Sequence, residues 1–150
     1  MTPQQILDML SRNRLLETKD QVSAFEKALE QVASHPEAAN HLRELHLVLD
    51  DQTRQTEVMY GLVHLLESFD MEQQLRAFLE VFPQLMKQAP EWVKTLHFRV
   101  LNDDAARGTY RTLLRHASTP SRTLALSALA DILETEDAPL RDHASEVLAE

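Results

Sequence analysis

The sequence predicts an all-α protein, and three observations carry that prediction. Apolar residues recur at steps of three and four along almost the whole chain. Thr-Pro pairs and isolated aspartates stand where helices would begin. Only 2 glycines occur among 150 residues, and a β-sandwich or barrel needs many more for its turns.

Each helix has its own signal. Thr2-Pro3 reads as an N-cap followed by proline at the first helical position, with Ile6, Leu7 and Leu10 behind it. Thr18 opens a second helix carrying Val22, Phe25, Leu29 and Val32. Pro36 starts a third through Leu42, Leu45 and Leu49, ending near Asp50-Asp51; within it, Leu45 to Asp51 also reads as a short strand, because its apolar run is continuous. A polar turn leads to a fourth helix from Gln55 to Phe69. Asp70 caps a fifth, with Gln73 in the capping-box position and Pro83 as its kink or end. Pro90 begins a helix bearing Trp92, Val93, Leu96 and Val100, and Asn102 is placed to cap the next, through Tyr110, Leu113 and Leu114. Thr119-Pro120 repeats the opening signal ahead of Leu124, Leu129, Ile132 and Leu133, and Asp137 caps a last helix with Leu140, Ala144 and Val147. Short connections make these eight or nine helices antiparallel neighbours. The expected architecture is therefore a single helical domain over residues 1–150, stacked as helical hairpins in an irregular HEAT-like α-solenoid or a compact bundle.

Composition narrows the function classes. The absence of cysteine excludes a disulfide scaffold, a zinc finger, an iron–sulfur site and a thiol nucleophile. Acidic residues outnumber basic ones 24 to 15, for a net charge of −9. That sign opposes binding to nucleic acid and to anionic membranes, and suits a basic protein partner. The N-terminus lacks the pattern of a signal peptide, and no run approaches the roughly 18 apolar residues of a membrane span. A cytoplasmic protein is expected.

Searches for chemistry return little. The sequence has no GxSxG, no phosphate-cradling glycine loop and no HExxH. Of the seven histidines, His41 and His46 are the closest pair, about 140° apart around a helix and so unable to share a metal on one face. His41 with Glu44, and His64 with Glu67, do share a face, but the histidines read better as surface hydrogen-bonding groups. No cofactor, no metal and no catalytic residue is expected.

The informative segment is Glu57 to Phe69. At about 100° per residue, Val58, Leu62, Leu65, Leu66 and Phe69 gather on one side. Glu57, Tyr60, Gly61, His64 and Glu67 gather on the other. Gly61 costs its helix about 1 kcal/mol relative to alanine, so it marks a close approach, by a neighbouring helix or by a partner. The carboxylates of the stripe can pair with Arg99. Asp103-Asp104 suits a helix N-terminus, whereas Asp50-Asp51 follows a helix, where negative charge is disfavoured. That pair asks for another explanation, such as a cationic partner.

From Leu45 to Asp103 the chain resembles the immunity protein 30 family, antidotes to bacterial polymorphic toxins. The resemblance rests on LHLVLDDQTRQTEVMYGLVHLLESF followed by APEWVKTLHFRVLND. It implies a non-enzymatic protein that binds and neutralises one cognate toxin, usually encoded beside it. The matching positions are Asp50, Asp51, Glu57, Tyr60, Gly61, His64, Glu67, Arg99 and Asn102. The first seven are the expected partner-binding residues, while Arg99 and Asn102 look structural. An acidic surface also suits a basic nuclease as the toxin. A helical-repeat adaptor for another protein is the second reading, and a hydrolase built on His64 the third.

Overall fold

Ten α-helices and one short 3-10 turn make up the computed structural model, which describes residues 1–149. Helix α1 (Pro3–Asn13) opens on a complete capping box: Thr2 Oγ1 accepts the Gln5 amide at 3.2 Å, and Gln5 Oε1 accepts the Thr2 amide at 2.9 Å. Helix α2 (Lys19–Ser34) is capped by Thr18 and packs back on α1 as a hairpin. Between them Leu16 takes a left-handed backbone, φ 52°, a conformation costly for a non-glycine residue. Its side chain is buried there, which offsets the strain.

The expected third helix is broken. A 3-10 turn at Ala38–His41 leads into the short α3 (Leu42–His46), and the chain then leaves helical geometry. The carbonyls of Leu47 and Leu49 both accept from Gln88 Nε2, at 2.6 and 2.9 Å, instead of from amides of their own helix. The Leu45–Asp51 segment is therefore a helix end and turn, with no strand assigned to it. Next come α4 (Thr56–Glu67), α5 (Met71–Glu80) and α6 (Phe82–Gln88). Asp70 caps α5 through the Gln73 amide, and Pro83 falls in the first turn of α6 just past the break at Val81.

Helix α7 (Pro90–Leu101) begins at its proline, and α8 (Asp104–His116), α9 (Thr119–Thr135) and α10 (Leu140–Leu148) complete the chain. Three caps differ from expectation. Asp103, not Asn102, caps α8, because Asn102 is still in helical geometry at the end of α7 and Asp103 has the extended backbone that lets it accept the Ala106 amide. Asn102 instead closes α7 through its own backbone N–H. Ser118, one residue before Thr119, caps α9, so Thr119 and Pro120 are already inside the helix. Helix α10 starts later, at Leu140, without a side-chain cap from Asp137.

A contiguous apolar core runs from Ile6 to Val147. Helix α5 is its centre, touching α3, α4, α6, α8 and α9, while α6 packs on α9 and α10 reaches α7 and α8. Contacts of that span draw the helices around α5, as in the compact bundle, where a linear stack would join only neighbours. Phe78 of α5 contacts the rings of His46, Phe82, His97 and Tyr110 at centroid distances of 5.3–6.1 Å. The two histidines in this cluster are fully buried, against the expectation of surface roles. His46 Nδ1 donates to the Leu42 carbonyl at 2.7 Å, which leaves Nε2 to accept from Gln74 at 3.0 Å. His97 Nε2 meets the Tyr110 hydroxyl at 2.6 Å. Burial lowers the pKa of His46 to about 4 and that of His97 to about 3, and it pushes the Tyr110 phenol well up.

Candidate partner-binding surface

The two aspartates after α3 have partners inside the fold. Asp50 is nearly buried, pairs with Arg14 at 3.3 Å, and accepts the Gln52 amide in a tight Asx turn. Its backbone carbonyl accepts the indole N–H of Trp92 at 3.2 Å. Asp51 reaches the start of α7. There Pro90 has no N–H and Ala89 has no side-chain acceptor, so the first free amides are those of Glu91 and Trp92. The Asp51 carboxylate accepts both, at 2.9 and 3.2 Å. Thr53 and Arg54 fasten the same turn to the end of α1, through the carbonyls of Arg14 and Leu15. The acidic turn thus ties α1, α6 and α7 together, and its charges are answered by Arg14 and by the positive end of α7.

The α4 stripe divides in two. Gly61 faces α2: a Cβ there would sit 3.2 Å from Leu29 Cδ1, so the close approach is by a neighbouring helix. Met59 and Val63 join Leu62 and Leu66 as the fully buried residues of α4, while Val58, Leu65 and Phe69 are half-buried. The buried arc is turned from its expected position because α4 packs between α2 on one side and α3 and α5 on the other.

Tyr60, His64 and Glu67 lie along the seam between α4 and α7. Tyr60 meets Trp92 edge-on at 5.1 Å, and His64 lies tilted over Tyr60 at 6.4 Å. Glu67 accepts two bonds from Arg99, at 2.7 and 2.8 Å. That charge-assisted pairing pushes the Arg99 guanidinium further up from its ordinary pKa. Both contacts advance about two turns along each helix, so α4 and α7 run parallel and in step. Glu57 and His64 are exposed, and neither side chain has a hydrogen bond or ion pair among the described residues. Beside Tyr60 a depression of about 290 Å³ opens, lined by Asp51, Thr56, Tyr60, Glu91, Trp92 and Thr95. Among the described residues no three His, Asp or Glu side chains converge as metal ligands would.

The family model for immunity protein 30 matches residues 12–110, about two thirds of the chain. The chain belongs to the immunity protein 30 family. The matched span contains the acidic turn, all of α4 and α7, and the Arg99 and Asn102 positions. No curated protein and no solved structure matches the chain. Within this family member, Tyr60, His64 and Glu67 come together with Trp92 and Arg99, Asp50 turns inward, and Gly61 turns to α2. Sequence spacing singled out the Tyr60 stripe and Arg99 but not the pairing of Tyr60 with Trp92, nor Glu91 and Thr95. The only signal for those lay in the exposed face of a helix read mainly for its apolar side.

Proposed function

We propose that this chain is an immunity protein that binds and neutralises one cognate toxin protein, without catalysing a reaction, in the cytoplasm of the cell that makes the toxin. The supporting observation is the α4–α7 surface. Tyr60–Trp92 and Glu67–Arg99 hold its two helices in step, while Glu57 and His64 are exposed and make no hydrogen bond or ion pair among the described residues. A pre-ordered surface loses little entropy on association, which is what a tight inhibitor needs. Family membership supports the toxin as the partner class. The net charge of −9 favours a basic toxin, such as a nuclease whose cleft attracts phosphate. Among the described residues no helix is long and apolar enough to cross a membrane.

Co-expression with the toxin encoded beside the gene tests the reading. The unaltered chain is expected to protect the host and to bind toxin with an association rate that falls as salt is added, while dissociation changes less. Glu57→Arg combined with His64→Glu is expected to abolish protection while the chain still unfolds cooperatively, at a melting temperature only a few degrees lower, the scale of two unfavourable charges at the ends of α4. A chain that neither binds nor protects against that toxin refutes the function and leaves the adaptor reading in its place. Undiminished protection by the double variant refutes the α4–α7 surface alone.

A further inference from the structure

Resting on that functional reading, we infer that the depression beside Tyr60 and Trp92 is the socket for a basic side chain of the toxin. Five features of the site suit a cation. Its wall is aromatic, from half-buried Tyr60 and the small exposed part of Trp92, and aromatic faces attract cations through their quadrupole. Its rim carries the Asp51 and Glu91 carboxylates, of which Asp51 is engaged by the α7 amides and Glu91 is not engaged. The positive end of α7, which would repel a cation here, is already answered by Asp51 through its two amide bonds. Glu91 is exposed and its carboxylate makes no hydrogen bond or ion pair among the described residues, so it is free to pair with an incoming charge. The floor is rigid, because the indole N–H of Trp92 is fixed on the Asp50 carbonyl. A planar guanidinium suits this combination better than an ammonium, since it can lie on a ring and still reach a carboxylate.

Trp92 is the sole tryptophan of the chain, so 5-fluorotryptophan places one fluorine signal in the socket. Adding unlabelled toxin to the labelled full chain is expected to shift that signal. Glu91→Gln is expected to weaken toxin binding by up to about fivefold at low salt, the scale of one exposed ion pair. Thr95→Arg, which fills the depression with the chain's own guanidinium, is expected to weaken it at least as much, with both variants melting as the unaltered chain does. A toxin that binds without moving the fluorine signal, or that binds both variants with unchanged affinity, overturns the socket and leaves the functional reading standing. A toxin that does not bind the unaltered chain overturns both.

Discussion

Asp51, one of the expected partner-binding residues, has a duty inside the fold. Its carboxylate supplies the cap that Pro90 and Ala89 cannot, on a helix 40 residues away in sequence. Asp51→Ala is expected to lower stability by about 1–2 kcal/mol, the usual cost of an N-cap, seen as a reduced urea midpoint at constant slope. Asp51→Asn, which keeps an acceptor, is expected to recover part of it. Gly61 behaves similarly. Leu29, which faces it, is half-buried and its tip can yield by a few tenths of an ångström. Gly61→Ala is therefore expected to be neutral or to stabilise by up to about 1 kcal/mol through helix propensity. Gly61→Leu must displace α2 and is expected to cost about 1–3 kcal/mol. Thermal unfolding of the two variants separates these outcomes.

Between elements, the joints around α5 are partly polar. His46 of α3 is bonded to Gln74 of α5, and His97 of α7 is bonded to Tyr110 of α8. Both imidazoles are held neutral by burial, with pKa values of about 4 and about 3 against 6.5 when solvated. Below pH 6.5 the unfolded chain therefore binds more protons than the folded one, and acid favours unfolding. The contribution is full above that pH and drains as pH falls towards the folded values. Each histidine accounts for about 1.4 kcal/mol between pH 7.5 and 5.5, so the pair is expected to lower the unfolding free energy by about 2–3 kcal/mol over that range. Urea titrations at the two pH values measure it. Replacing His97 and Tyr110 together by phenylalanine is expected to remove about half of the dependence without leaving a buried polar group unpaired.

At the scale of the molecule, the packed core extends beyond the family match. The match stops at Tyr110, in the middle of α8. Beyond it, Leu114, Ala125, Leu129, Ile132, Ala144 and Val147 are all buried, and α9 covers α5 and α6. Arg107 adds a polar joint, bonding Glu146 of α10 at 2.9 Å, Asp104 at 2.8 Å and the Leu101 carbonyl at 2.6 Å. A fragment of residues 1–110 would expose the inner faces of α5 and α6. It is expected to lack a cooperative unfolding transition, which differential scanning calorimetry of fragment and full chain would reveal. A sharp transition in the fragment would mean that α9 and α10 are dispensable for folding.

The helical class, most helix starts and the Tyr60–His64–Glu67 stripe are legible in the sequence because their causes are local. Thr2, Thr18 and Asp70 bond to amides three residues on, and Pro90 acts at its own position. Amphipathic spacing likewise concerns one helix at a time. Other features were decided only by the tertiary structure. Helix α3 ends where Gln88, about 40 residues later, takes the carbonyls that would have continued it. Asp50 and Asp51 have their reasons in Arg14 and in α7. His46 and His97 are core residues because Gln74 and Tyr110 lie opposite them. In each case the deciding partner is remote in sequence, and a hydrogen bond or ion pair acts only over a few ångströms of space. Residue order carries a partner three positions away on a helix, whereas one on another helix exists only once the chain has packed.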